Sequence, residues 1–170
     1  MDSADAHAPS HALEKIHPCE IHVDEEGDWF HQGNRIIRDD IIQLFMENVQ
    51  LAPDGSHLIQ WNHTVCALDV ADTVFVVGRA DRGKSEDSTQ EQILLWLRHL
   101  PDPERLDPAT LRVGKENVLY CRVRGGRFPA RFSRPAYYQL AEWIEEDADT
   151  GAFFLEINGQ RFTIRSDEDR

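Results

Sequence analysis

The sequence has little of several things, and each shortage excludes something. Only three of its 170 residues are cysteine. Cys19, Cys66 and Cys121 are odd in number and far apart, so no disulfide framework is expected and the chain reads as a reduced, cytoplasmic protein. No apolar run approaches the roughly 20 residues that span a bilayer. The start, Met1-Asp2-Ser3-Ala4-Asp5, has neither the basic nor the apolar region of a signal peptide. Positive charge is scarce: 18 Lys and Arg face 31 Asp and Glu, for a net charge of -13. Such a field repels nucleic acid and anionic membrane, so neither is expected as a partner. Motifs of chemistry are thin as well. There is no Gly-x-Ser-x-Gly elbow, and Gly83-Lys84-Ser85 lacks the upstream glycine of a phosphate loop. His17-Pro18-Cys19 with His22, and His63 with Cys66, match no paired zinc spacing. No metal, no cofactor and no catalytic residue is therefore assigned.

What is present suits a soluble globular chain, with 41% hydrophobic and 29% charged residues. Its organising stretch is Asp28-Trp29-Phe30-His31-Gln32-Gly33-Asn34, which reads as a strand and tight turn, followed by a helix. Residues 1–18 show little period and are expected to be a mobile arm, with a helical turn at Leu13–Ile16. Strands are expected at 20–23 and 29–31, then a helix over 38–49 with Ile41, Leu44, Phe45 and Val49 on its buried stripe. Further strands fall at 57–61, 64–70 and 73–80, with a polar loop from Ala80 to Gln90. The apolar run within 91–98 is read as a strand because Pro101 and Pro103 cut it short. Strands near 110–113 and 118–124 precede a Gly125-Gly126 turn. A helix over 134–147 begins at the N-cap Ser133 and buries Tyr137, Leu140, Ala141 and Ile144. A last hairpin, 153–157 and 161–164, turns at Asn158-Gly159.

The two helices align without a gap at an offset of 96 positions, since Arg38 matches Arg134. The same offset pairs Gln43 with Gln139, Leu44 with Leu140, Gly55 with Gly151 and Asn62 with Asn158. That order of turn, helix, break and strand predicts an α+β fold of two repeated units, each a curved antiparallel sheet with one packed helix. The units would cover 19–88 and 89–165, with a charged tail at 166–170. Chance likeness of two amphipathic helices is the alternative.

Gly27-Asp28-Trp29-Phe30-His31-Gln32-Gly33 with Ile36, Leu111-Arg112-Val113, and Arg134-Pro135-Ala136-Tyr137-Tyr138-Gln139-Leu140 together resemble a bacterial family known as domain of unknown function 1285. The likeness covers residues 19–165 loosely. Gln60-Trp61-Asn62-His63 stands where that family usually has Thr-Pro-x-Glu. The resemblance implies two repeated α+β units and a role in ligand sensing or signal transduction, with no catalytic residues to carry over.

The clearest chemical signal is charge. From Arg112 to Arg134 lie seven basic residues against one acid, Glu116, while the rest of the chain has 11 basic and 30 acidic residues. Alternation along a strand places Tyr120, Arg122 and Arg124 on one face. Arg127 and Arg131 are expected in the following loop, and Arg134 opens a helix whose free N–H groups favour an anion. These six residues are the candidate ligand site, for a small anionic ligand or an acidic protein partner. Ion pairing with the chain's own acids is the competing reading. From other classes come a hydrolase or transferase in a cleft between the units, with His31 or His57 as acid or base, and a structural interaction module.

Overall fold

The computed structural model describes residues 16–61 and 63–167. Strands β1 (His17–Val23) and β2 (Trp29–His31) form a hairpin that β3 (Asn34–Arg35) extends. Helix α1 (Asp39–Glu47) follows, then a meander of β4 (Val49–Leu51), β5 (His57–Trp61) and β6 (Thr64–Val70). The six strands share one sheet in the order β3-β2-β1-β6-β5-β4. Asp39 and Asp40 occupy the first turn of α1, where the helix dipole favours acids. At its end the Asn48 side chain donates to the Leu44 carbonyl at 2.7 Å. Its buried residues are Ile42 and Met46. The inward stripe is thus turned from the expected one, and Phe45 reaches the core by stacking on Trp29, ring centroids 6.0 Å apart.

A second sheet holds β7 (Phe75–Lys84), β8 (Glu91–Leu97), β9 (Glu104–Arg105), β10 (Arg112–Val113), β11 (Leu119–Val123), β12 (Phe128–Phe132) and, from the chain's end, β16 (Arg165–Ser166). Their order is β16-β10-β11-β12-β7-β8-β9. Helix α2 (Arg134–Ala141) leads into a three-stranded sheet of β13 (Ile144–Glu146), β14 (Phe153–Ile157) and β15 (Gln160–Thr163). Ser133 caps α2, its hydroxyl accepting from the Ala136 N–H at 3.4 Å. The helix lies on β7, and Gln139 accepts from the Ala80 N–H at 2.9 Å. One apolar core, including Trp29, Phe75, Leu95, Leu111, Leu140 and Leu155, spans all three sheets. Among the described residues no helix is long and apolar enough to cross a membrane.

The α+β class holds, with corrections. The two larger sheets are mixed, because β6 runs parallel to β1, β16 to β10, and β12 to β7. The loop expected from Ala80 is strand as far as Lys84, which pairs with Glu91. The loop expected to hold Arg131 is β12, whose alternate residues Phe128, Ala130 and Phe132 are buried. The second helix ends six residues early, because Ile144 leaves it to pair with Leu155, and its buried residues are Ala136 and Leu140 rather than Tyr137. Cys19 and Cys66 form a disulfide, against the expectation of none. Parallel pairing of β1 with β6 brings their Cα atoms to 5.3 Å, well inside the range a disulfide needs. Strand β1 starts at His17, within the expected arm. The arm's residues 1–15, most of its expected helical turn, and 168–170 of the tail lie outside the described residues.

Each helix is followed by a three-strand meander. Ile59 faces Cys66 and Trp61 faces Thr64; 96 positions on, Leu155 faces Phe162 and Ile157 faces Gln160. The other pairing of each meander differs by one residue, Val49 facing Ile59 but Glu145 facing Phe154.

Candidate functional site

Alternation along β11 buries Leu119, Cys121 and Val123 and turns Tyr120 and Arg122 outward. Burial, aided by the charge of Glu104, pushes the Cys121 thiol up to about 12. Antiparallel pairing sets Tyr120 opposite Arg131 on β12, and both reach Asp72. The Tyr120 hydroxyl donates to Asp72 Oδ2 at 2.8 Å, and Arg131 Nη1 donates to the same oxygen at 3.0 Å. Glu25 lies 3.6 Å from the same guanidinium nitrogen. Burial first, then the bond to Asp72, pushes the Tyr120 phenol up to about 12. The Arg112 guanidinium lies 4.5 Å from the Tyr120 ring centroid and pairs with Asp167. Gly114 permits this packing, since a Cβ there would sit 2.7 Å from Tyr120 Cε2. At this end of β11 both Arg112 and Arg131 are matched by acids.

The other end is different. Beyond Val123 the backbone turns through Arg124, φ +55°, and a cleft of about 380 Å³ opens between this turn and β9. Its lining includes Arg105, Thr110, Arg122 and Arg124, with Glu104 and Asp107. Both acids are engaged. Glu104 accepts from the Arg124 N–H at 3.2 Å and lies 3.6 Å from its guanidinium. Asp107 accepts from the Ala109 N–H at 3.1 Å and so caps the 3-10 turn Pro108–Thr110. Among the described residues Arg122 meets no acid, and its Nη1 reaches only the carbonyls of Gly126 and Arg127, both at 3.4 Å. Arg105 is exposed and forms no hydrogen bond or ion pair among the described residues.

The six sequence candidates therefore divide. Tyr120 and Arg131 belong to the Asp72 cluster, and Arg122 and Arg124 to the cleft. Arg127 stays at the turn, donating to the Arg124 carbonyl at 3.3 Å with its guanidinium 5.5 Å from the Phe128 ring. Arg134 stands exposed at the start of α2, without an ion pair among the described residues. Sequence reading missed Arg105 and Thr110. They reach the cleft because β9 folds back on β8, Arg105 opposite Leu94, and because Thr110 Oγ1 accepts from the Arg122 N–H at 3.0 Å. A second, larger groove of about 1520 Å³ adjoins the cleft, with Thr110 and Arg122 lining both.

Neither histidine named for acid–base work meets a carboxylate among the described residues. His31 is exposed, and the Nε2 of His57 is buried without a hydrogen-bond partner. Burial lowers the pKa of His57. The histidines that do meet acids are His22, 2.7 Å from Asp69, and His99, 2.8 Å from Asp39. Neither lines the cleft or the groove.

Among the described residues, fold and site thus define an α+β protein of two α-helices and three sheets, with an arginine-lined cleft at one sheet edge. Two solved structures share this fold, and both are DUF1285 family proteins. The one from Silicibacter pomeroyi DSS-3 superposes with a TM-score of 0.70 at 19% identity, covering 98% of this chain and 92% of that one. The one from Shewanella baltica OS155 gives 0.59 at 13% identity, covering 74% and 91%. The resemblance carried by the Trp-Phe and Arg-Pro motifs therefore holds at the level of the fold. No family model and no curated relative matches the sequence.

Proposed function

We propose that the protein is a ligand-binding module of a signalling kind, whose cleft between β9 and the turn after β11 receives a small anion. The observation that carries this is the pair Arg105 and Arg122, two arginines lining one cleft with no acid partner among the described residues. In a chain of net charge -13 an unmatched arginine pair is conspicuous, and the planar fork of each suits a carboxylate or phosphate. Arg124 adds charge held by Glu104, and the Thr110 hydroxyl adds a neutral polar contact. Tyr120 and Arg131 then serve the fold through Asp72. A ligand bridging Arg105 and Arg122 would tie the edge strand β9 to β11, and that stiffening is the proposed signal.

We also infer that the two halves are duplicated units. In support, the second half runs β12-β11-β10-β16 in its sheet, and β16 continues β15 of the β13-β14-β15 sheet. The first half runs β3-β2-β1-β6-β5-β4. Read with β15 and β16 as the counterpart of β6, the orders are the same, and the second hairpin is longer.

Thermal melting across a phosphate series tests the anion reading. Phosphate at a hundred times its Kd stabilises the folded state by about 2.7 kcal/mol, or about 5–11 °C in a chain of this size. Added salt shrinks the gain. Arg122→Glu, at an exposed position, abolishes the gain without lowering the melting temperature in buffer alone. A wild type indifferent to phosphate would sink the reading.

A further inference from the structure

The large groove beside the cleft is not explained by a small anion. It runs between β10–β11 on one side and α2 with the β14–β15 sheet on the other. Its lining joins two chemistries. Ile144 and Ile164 are half-buried and present part of their apolar side chains, and two aromatic residues are open to water: Phe153 is 54% exposed and Tyr137 37%. Two cations along it, Arg122 and Arg165, have no ion pair among the described residues, while Arg112 is matched by Asp167. At about 1520 Å³ the groove exceeds the range of roughly 300–1,000 Å³ usual for compact small-molecule pockets. It adjoins the arginine cleft, and Thr110 and Arg122 line both.

We infer that cleft and groove are one site for a single-chain amphiphile with an anionic head, the head held by Arg105 and Arg122 and the chain lying along Ile144, Ile164 and Phe153. The inference rests on the reading of the cleft as an anion site and adds the ligand class. Carboxylate, phosphate and sulfate heads share the required chemistry. A purely apolar ligand would leave the unmatched guanidinium groups facing hydrocarbon, which is costly. A bare anion would leave the open parts of Phe153 and Tyr137 in water. The net charge of -13 disfavours any anion at long range, so local contacts must supply the affinity. Each methylene taken out of water strengthens binding about fourfold, and the apolar groove is where that gain is available.

The test is calorimetric titration of the whole chain with inorganic phosphate, with dodecyl phosphate below its micelle concentration, and with dodecyltrimethylammonium as a chain of opposite charge. Wild type, Arg122→Gln and Phe153→Ser are compared, both substitutions being at exposed positions. The expected result is dodecyl phosphate at least tenfold tighter than phosphate, with the cationic amphiphile not bound. Phe153→Ser should weaken dodecyl phosphate and leave phosphate unchanged, and Arg122→Gln should weaken both. Equal affinity for phosphate and dodecyl phosphate overturns the amphiphile and leaves the anion reading standing. Equal affinity for the two amphiphiles, or an unaltered Phe153→Ser, overturns it as unspecific adsorption or a chain seated elsewhere. No binding of either phosphate compound removes both readings together.

Discussion

Replacing Asp72 by asparagine dissects the cluster that fixes β11 against the turn before β7. Asp72 Oδ2 accepts from the Tyr120 hydroxyl at 2.8 Å and from Arg131 Nη1 at 3.0 Å. The Asp72 and Arg131 side chains are only 24% and 19% exposed, so water screens the pair weakly. Hydrogen bonds to a charged group contribute about 1.5–3 kcal/mol each. Asparagine keeps one neutral acceptor, and Arg131 keeps Glu25 at 3.6 Å. The expected loss is therefore about 2–3 kcal/mol, seen as a fall of about 4–12 °C in melting temperature. Combining Asp72→Asn with Arg131→Met should show a coupling of about 1 kcal/mol or more. The second assay is ultraviolet titration of the phenol. Tyr120 is raised to about 12 by burial and then by Asp72, against about 10 for an unfolded tyrosine. A raised folded pKa gives stability that is whole below pH 10 and is lost as the pH climbs through about 12. Asp72→Asn removes the neighbouring negative charge, so the phenol should ionise at lower pH and the alkaline loss of stability should shrink. An unchanged melting temperature together with an unchanged titration would refute the assignment.

Two further predictions concern the backbone and the thiols. Gly159 has φ +74° and Asn158 +52°, with open space around the missing Cβ, so Gly159→Val should destabilise by about 1 kcal/mol or more through backbone strain alone; an unaltered urea midpoint would show that the turn tolerates a branched residue. The Cys19–Cys66 bond closes a separation of 47 residues, which chain entropy converts to about 4 kcal/mol. The double variant Cys19→Ser, Cys66→Ser should lose stability of that order, and the oxidised native wild type should give no reaction with a thiol reagent, because Cys121 is 1% exposed and raised to about 12; one reactive thiol per chain under native conditions would contradict this.

Local signals in the sequence carried over well. Ser133 before Arg134-Pro135 starts α2, Asn158-Gly159 makes the last hairpin, and the run at 91–97 is a strand whose alternate residues Ile93, Leu95 and Leu97 are buried. What failed depended on distant neighbours. Glu142 to Asp147 reads as the end of a longer helix with Ile144 on its buried stripe, and only the presence of Leu155 makes Ile144 a strand residue. The disulfide was illegible because nothing in the two segments announces that β1 and β6 lie side by side in parallel. The arginine cluster was legible as charge but not as geometry. Which guanidinium groups are neutralised depends on Asp72, Glu25 and Glu104, and the pair with no acid partner among the described residues includes Arg105, which lies outside the cluster altogether.

Strand β7 has a consequence for the protein while it is being made. All six strands of the first sheet are complete by Val70, whereas β7 pairs on one side with β8 and on the other with β12, Phe75 meeting Ala130. Val74 to Val77 are each at most 2% exposed in the finished fold. On a ribosome adding about 5–20 residues per second, that apolar edge waits about 3–11 seconds for its partner to be synthesised. For that interval the nascent chain carries a finished first sheet and an open, sticky strand. Premature release anywhere between residues 85 and 127 would leave this edge permanently unpaired, so truncated products of those lengths should be the ones that aggregate.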